Sequence, residues 1–418
     1  MKLSTIVYKI KCYGFKGILD YLSRYSSIKA LKSKLQPNCG NTSKPERGLT
    51  LVGPFSTSTS ISKVMRDLAI RLKDCNIPFQ AIDTCDKATI PESEYTGLLT
   101  TPDNFNINRY SHVIQMFVNY VPACQRLRVY SCFFWEFESG LEHLYPDMTG
   151  DALLAMSDFD EAVFHIQKPN NIKSVRKILY PLRELPRFNA NRENLRIRLN
   201  IPLNAFVVYF NFDFMSSYFR KNPEAVIKAF AKAFSEKNNA ILLFKTMRAN
   251  RNPSLHDRMM QVIERYNLGN RFVEIKEFLS QEDLIGLTNV CDAYISLHRG
   301  EGFGLTLAEA MQLAKPVICT DYSSTTEFCK PGTAIPIPYR LVPVRPEQID
   351  TPEYKYVKEW AEPDIDEAAK ALKKLYDNTE LRHQIGEAGK RSIEEIYSNK
   401  NFKASIMEFL SDSQQAGT

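Results

Sequence analysis

Residues 293–319 dictate a parallel crossover, and that constrains the fold more than any other stretch of the chain. Ala293-Tyr294-Ile295-Ser296-Leu297 is apolar and too short for a buried helix, so it reads as a strand. His298-Arg299-Gly300-Glu301-Gly302-Phe303-Gly304 follows as a glycine-rich turn. The next residues place Leu307, Ala310, Met311 and Ala314 on one helical face, until Lys315 and Pro316 close the helix and Val317-Ile318-Cys319 resumes as a strand. A strand, turn, helix and strand in this order form a right-handed crossover in a parallel sheet. Ligands bind such units beyond the carboxyl end of the first strand.

The turn carries chemistry as well as shape. Glycines at 300, 302 and 304 let a ligand approach the backbone, and the free amides of the first helical turn favour an anion. Glu301 sits in the same turn, where a carboxylate would repel that anion unless it reached past it to neutral hydroxyls. A polyol flanked by phosphate, such as a sugar diphosphate, satisfies both demands. Glu309, about two helical turns further on, is placed to hold a second pair of hydroxyls such as those of a ribose. A single glutamate here would read as a solvated charge near a helix N-terminus. Two at this spacing, after a buried strand and among three glycines, favour a ligand.

A second stretch has matching character. Phe206-Val207-Val208-Tyr209-Phe210 reads as a strand, and 211–222 as a polar turn holding Ser216, Ser217, Arg220 and Lys221. Pro223 suits a first helical position, and Val226, Ile227, Phe230 and Phe234 give the helix its apolar face. Adjacent cations ahead of a helix N-terminus suit a diphosphate, although taken alone they would equally be a solvated pair.

"SLHRGEGFGLTLAEAM" followed by "KPVICTDYSS" resembles the E-x7-E signature of glycosyltransferase family 4, retaining enzymes of the GT-B fold. "FDFMSSYFRKNPEAVIKAFAKAF" resembles the same family's basic pair, except that many members carry the first cation about where Ser216 stands. The resemblance implies an α/β chain of two Rossmann-like domains facing a cleft, preceded here by a basic extension. It implies that Glu301 contacts donor-sugar hydroxyls, that Glu309 holds the ribose, and that Lys221 and Arg220 neutralise the leaving diphosphate. Gly302, Phe303, Gly304, Leu305 and Thr306, with His298, Ser216 and Lys245 at a strand end, complete the expected donor side. The substrates implied are a nucleotide diphosphate sugar and a hydroxyl on a glycan or lipid-linked glycan, with no metal or other cofactor because the cations replace a divalent ion. The "SLHRGEGFGL" and "RKNP" elements look most like bacterial polysaccharide mannosyl- and rhamnosyltransferases, which makes GDP-mannose the expected donor and leaves UDP- and dTDP-sugars open.

Arg128-Val129-Tyr130-Ser131-Cys132-Phe133-Phe134 is a strand candidate ending in Trp135-Glu136. Such an end can offer an aromatic plane and a carboxylate to a sugar, or can be a buried Trp beside a surface Glu. By resemblance to family members with "W-E" at this strand end, Trp135 and Glu136 are assigned to the acceptor side. The run Ser56-Thr57-Ser58-Thr59-Ser60 stands where members often have glycines. It can cap the helix bearing Val64, Leu68, Ile70 and Leu72 or hydrogen-bond a phosphate.

Composition bounds the rest. A 44% hydrophobic and 11% aromatic share in 418 residues supports two domains with their own cores. The expected divisions are an extension over 1–48, an acceptor domain over 49–190, a donor domain over 191–390 and a C-terminal helix over 391–418 that returns to the first domain. A Pro-, Arg- and Asn-rich linker spans Pro181 to Pro202, and the final helix is expected over Ser392 to Phe409. Residues 1–48 carry a net charge of +8 against +6 for the whole chain, leaving the other 370 residues near neutral at −2. Residues 1–35 mix lysines with Ile6, Tyr8, Phe15 and Tyr21 in a possible helix, either lying on an anionic membrane or packed on the first domain. The rest of the chain has no basic stripe, which argues against nucleic acid. Lysines interrupt any signal-peptide core, no apolar run reaches about eighteen residues, and nine cysteines lack a C-x-x-C pair. These features predict a cytoplasmic protein with reduced thiols, peripheral on the inner membrane face under the membrane reading of residues 1–35. The rival from another class is a catalytically silent sugar-nucleotide-binding scaffold subunit.

Overall fold

The computed structural model describes residues 31, 33, 35–37, 44–116, 121, 126–143, 150–186 and 192–411, so the predicted amphipathic helix of the extension lies outside the described residues. The chain divides into two compact units. The first comprises residues 1–134, 141–183 and 397–418, and the second comprises 135–140 and 184–396. Trp135–Gly140, expected in the first domain, therefore packs with the second. No helix among the described residues is long and apolar enough to cross a membrane.

In the first unit, β1 (Glu46–Gly53), β2 (Phe79–Asp83), β3 (Tyr110–Met116), β4 (Arg128–Cys132), β5 (Ala152–Ala155) and β6 (Ser174–Lys177) form one parallel sheet in the order β2-β1-β3-β4-β5-β6. Val52, Val113 and Val129, on three adjacent strands, pack into one apolar cluster with Leu35, Ile107 and Leu127. Helix α1 (Ser60–Asp74) buries Val64, Met65, Leu68 and Leu72, while Ile70 is only half-buried. Thr59 caps it by accepting a hydrogen bond from the Ser62 amide at 3.3 Å, so the Ser/Thr run acts as a cap. Helix α2 (Asp158–Gln167) is capped in the same way by Ser157.

The second unit opens with α3 (Arg192–Arg198), a helix inside the stretch expected to be linker. Its Arg196 is buried and donates to the Val290, Leu203 and Ala205 carbonyls, each at 2.8 Å, and to Asp292 at 2.7 Å. Those bonds make the segment a folded part of this unit. Strands β7 (Phe206–Asp213), β8 (Ala240–Met247), β9 (Phe272–Ile275), β10 (Ala293–Ser296), β11 (Val317–Thr320) and β12 (Ile335–Ile337) form a parallel sheet in the order β12-β11-β10-β7-β8-β9. The chain leaves β7 toward one edge and β10 toward the other, so a topological switch point lies at their carboxyl ends. A separate antiparallel hairpin pairs β13 (Tyr339–Pro343) with β14 (Glu359–Pro363).

After β7 the chain is helical where a polar turn is expected. It runs through a 3-10 turn at Phe214–Ser216 into a four-residue helix, α4 (Tyr218–Lys221), and then into α5 (Pro223–Ala233) with Pro223 in its first turn. Phe214, Tyr218 and Phe219 are buried, and this apolar content draws the segment into the core. Helices α6 (Pro253–Arg265) and α7 (Gln281–Val290) follow β8 and β9. Helix α8 (Leu305–Gln312) ends before Lys315, because Ala314 adopts a left-handed conformation at φ 52°. Pro363 ends β14, and Asp364 caps α9 (Ile365–Asp377). The expected single last helix is two, α10 (Thr379–Ile396) and α11 (Asn399–Ser411), and the division between the units falls at their junction.

The Ala314 turn explains a glycine within α10. A Cβ on Gly386 would lie 2.1 Å from the Ala314 carbonyl oxygen. Alanine is the better helix former by about 1 kcal/mol, yet the clash is with backbone and cannot be relieved by a side-chain rotation. Gly386→Ala should therefore lower stability by about 1–3 kcal/mol, read as an earlier urea midpoint. A midpoint equal to or above the parent's would refute this packing.

Candidate functional site

Strand β10 delivers Leu297 and His298 into the glycine turn. Arg299 fixes where that turn goes: its amide donates to the Arg220 carbonyl at 2.8 Å and its guanidinium to the Phe219 carbonyl at 2.6 Å. Its Nε donates to Glu362 at 2.7 Å, and the guanidinium lies 4.8 Å over the Trp360 ring. One arginine thus binds the glycine turn to α4. Gly300 is glycine for a steric reason, since a Cβ there would lie 2.6 Å from the Glu136 carbonyl oxygen. The Glu301 amide donates to Ser323 Oγ at 2.8 Å, which orients the residue. Gly304, at φ 88°, starts α8 without a side-chain cap; the Leu307 amide donates to the Gly304 carbonyl at 3.0 Å, and the Leu305 and Thr306 amides lead the helix.

Helix α4 is held as firmly. Ser217 and Asn222 bracket it with φ of 68° and 57°. Asp350 accepts from Ser217 Oγ at 2.5 Å and from the Tyr218 amide at 2.6 Å, while the Asn222 side chain donates to the Leu297 carbonyl at 3.1 Å. This places Lys221 beside the turn.

Four charged groups converge there. Lys221 Nζ donates directly to Glu301 Oε1, and Arg220 Nη1 lies 3.4 Å from Glu301 Oε2. Arg220 also donates to the Gly300 carbonyl at 2.8 Å and to the Ser216 carbonyl at 2.9 Å, and its Nη2 lies 3.7 Å from Glu136 Oε1. Tyr354 donates its hydroxyl to Glu136 Oε2 at 3.3 Å. All four charged side chains are at most 15% exposed, so the pairs act in a weakly screened setting.

Burial alone would raise the Glu301 carboxyl, but Lys221 and Arg220 outweigh it and hold the group at about 2. Glu301 is a carboxylate at neutral pH. Glu136 goes the other way: burial raises it, and Arg220 offsets this only in part. His298 is buried and its ring is lowered to about 4 by burial. It is neutral, with Ser296 Oγ 3.1 Å from Nδ1 and with Thr325 Oγ1 at 3.3 Å and the Tyr322 carbonyl at 3.4 Å from Nε2.

The remaining expected site residues are spread more widely. Glu309 is half-buried on α8, close enough with Glu301 to act on the Tyr294 hydroxyl, which donates to Thr306 Oγ1 at 2.7 Å. Gly302 is buried, Leu305 is half-buried, and Phe303 packs 5.3 Å from Phe328. Ser216 contributes its carbonyl to Arg220. Lys245 does not join the cluster: it is buried at the end of β8, donates to the Thr246 carbonyl at 2.8 Å, and its nearest charges are Glu277 and Glu274. Trp135 is 2% exposed, its indole N–H donates to the Ser139 carbonyl at 3.2 Å, and its ring packs against Phe137 and Tyr354.

Arg299, Ser323, Asp350 and Tyr354 were not singled out in the sequence. Arg299 was within reach of that reading, since it directly precedes Gly300 in the motif. Asp350 and Tyr354 come from the region between the hairpin strands, and no local pattern ties them to residues 217 or 136.

Glu301→Gln leaves two cations facing Glu136 alone and should cost about 3 kcal/mol at neutral pH while the fold persists. Folded Glu301 titrates near 2 and an unfolded glutamate near about 4.3. A depressed pKa stabilises above the unfolded value, and that contribution is lost as pH falls toward 2. The gap in urea midpoint between parent and variant should narrow below about pH 4. A gap that does not change with acidification would show that Glu301 is not held as a carboxylate.

Residues 214–392 match the family described as "Glycosyl transferases group 1". Over 113 residues the chain is 31% identical to the serotype-specific mannosyltransferase WbdA of Escherichia coli, a segment that is 26% of this chain and 13% of that relative. Among solved structures, sucrose-phosphate synthase from Thermosynechococcus elongatus superposes with a TM-score of 0.59 at 13% identity, covering 88% of this chain and 99% of the other. HepE of Anabaena, solved in complex with UDP and glucose, gives 0.59 at 14% identity, with 88% and 100% covered. The chain has the two Rossmann-like sheets of the GT-B fold, and its second unit carries the sequence pattern of group 1 glycosyl transferases.

Proposed function

We propose that the protein is a retaining hexosyltransferase. It moves a hexose, mannose from GDP-mannose being the best candidate, from a nucleotide diphosphate to a hydroxyl of a glycan or lipid-linked glycan in bacterial surface polysaccharide assembly. The observation that carries this reading is the contact of Lys221 with Glu301 at the switch point of the second sheet, inside the segment that matches the glycosyl transferases. The name of the WbdA relative and the resemblance of the "SLHRGEGFGL" turn favour mannose. The HepE complex keeps UDP-sugars in the test.

In this reading the donor enters between Lys221 and Glu301 and separates the pair. Lys221 turns to the diphosphate, joined by the uncapped amides of α8, and Glu301 turns to the sugar hydroxyls. When the bond from the anomeric carbon to the diphosphate oxygen breaks, its electron pair stays with the diphosphate, and these donors stabilise that charge without a metal. Arg220 acts chiefly as a scaffold, because both its terminal nitrogens are engaged. Glu309 holds the ribose hydroxyls, and Glu136 lies toward the acceptor.

Thermal shift across GDP-, UDP- and dTDP-sugars identifies the donor, since a bound ligand raises the midpoint with its affinity. With that donor and a lipid-linked glycan acceptor, Lys221→Ala should lower kcat by about 10²–10³-fold, the cost of one donor to a developing oxyanion. Glu301→Gln should also lose most turnover while circular dichroism stays unchanged, and a chelator should leave the parent's rate unaltered. A parent protein that binds a nucleotide sugar but releases no nucleoside diphosphate is a silent binding subunit, and the transferase reading then fails.

A further inference from the structure

The second unit contains a cavity of about 560 Å³ with none of Glu301, Glu309, Arg220 or Lys221 in its wall. Its size is that of a small-ligand site. Arg258, Arg299, Arg340, Arg345 and Lys228 line it, opposed only by Glu224 and Glu362. These two acids are already engaged. Glu224 accepts from Arg258 at 2.5 Å with Lys228 at 3.5 Å, and Glu362 accepts from Arg299 at 2.7 Å. Arg345 lies 3.4 Å from Glu347, which is not in the wall. Arg340 makes no ion pair with any described residue. The wall therefore has three positive charges in excess, two of them on the β13 hairpin arm and its continuation, next to the apolar Val342 and Pro343.

We propose that this cavity binds a small phosphorylated molecule at a site separate from the Glu301 cluster, with Arg340 and Arg345 taking the phosphate. Arginine suits that role because its planar fork matches two phosphate oxygens. The cavity also borders the helix that carries the cluster's two cations. Tyr218, Phe219 and Asn222 of the α4 segment are in its wall, and Arg299 holds the carbonyls of Phe219 and Arg220. An anion in the cavity competes with Glu362 for Arg299, and so bears on the helix that carries Lys221.

Isothermal titration of the full chain with a sugar monophosphate, which lacks the diphosphate that Lys221 is proposed to hold, tests this. Binding should weaken by more than about tenfold in the doubly substituted Arg340→Glu, Arg345→Glu protein and should survive Lys221→Ala within about twofold. Arg340 and Arg345 are exposed while Lys221 is largely buried, and circular dichroism checks the folding of both variants. Absence of binding to the parent, full binding by the double variant, or loss in Lys221→Ala alone overturns the proposal; the last would place the anion at the Glu301 cluster. Adding the sugar phosphate should also change the parent's Kd for a nucleoside diphosphate, reciprocally. An unchanged Kd removes the Arg299 link and leaves the cavity site standing, and this arm alone rests on the donor reading.

Discussion

A buried guanidinium organises the second unit. Arg220 spans the carboxyl ends of two adjacent strands: it holds the Ser216 carbonyl after β7 and the Gly300 carbonyl after β10, with carboxylates of Glu301 and Glu136 on its flanks. A charge this deep is costly unless it is both paired and hydrogen-bonded, and the desolvation of such an ion is several kcal/mol even after relaxation, on the order of the net stability of a domain. The two loops must therefore keep their shapes together. Removing either carbonyl's loop from its place strands a cation, so the glycine turn and the segment after β7 behave as one structural element although about eighty residues separate them in sequence.

The same arithmetic explains why the cluster is poised for a ligand. Two cations and two carboxylates compensate each other, but not evenly, since Glu301 is drawn well below its ordinary value while Glu136 is pushed above its own. Burial gives both a common penalty, and proximity to Lys221 decides which of them escapes it. Divergent neighbouring carboxyls are a mark of sites that handle charge. Structural ion pairs can look alike, and the difference here is the glycine backbone and the uncapped helix start beside them.

How much of this was legible in the sequence follows from the range of the forces involved. The crossover over 293–319 is readable because an apolar run, glycines and a helical stripe are local signals. The helix from 305 is expected to reach Ala314 but stops at Gln312, because nothing in Ala314 itself announces a left-handed residue; the Lys315 amide, donating to the Ala310 carbonyl at 3.0 Å, closes the helix there. The stretch after β7 reads as a polar turn because its polar residues outnumber the aromatic ones that bury it. Glu301, Lys221 and Arg220 were all named from motif and resemblance, and they do meet in space. Lys245, equally cationic and equally at a strand end, does not meet them, because strand-end position fixes depth in the sheet but not the neighbour a long side chain selects.

Helix α4 spans four residues between two non-glycine residues of positive φ, Ser217 and Asn222. Each such residue holds of order 1–3 kcal/mol of backbone strain, and Asp350 and Leu297 are the groups that sustain it. The segment is thus a cassette of fixed length clamped at both ends. Successive helical side chains differ in direction by about 100°, so one inserted or deleted residue would swing the ammonium of residue 221 away from the turn. Descendants of this chain can change side chains along the cavity and the hairpin gradually, but they can alter the length of this cassette only by abandoning the site.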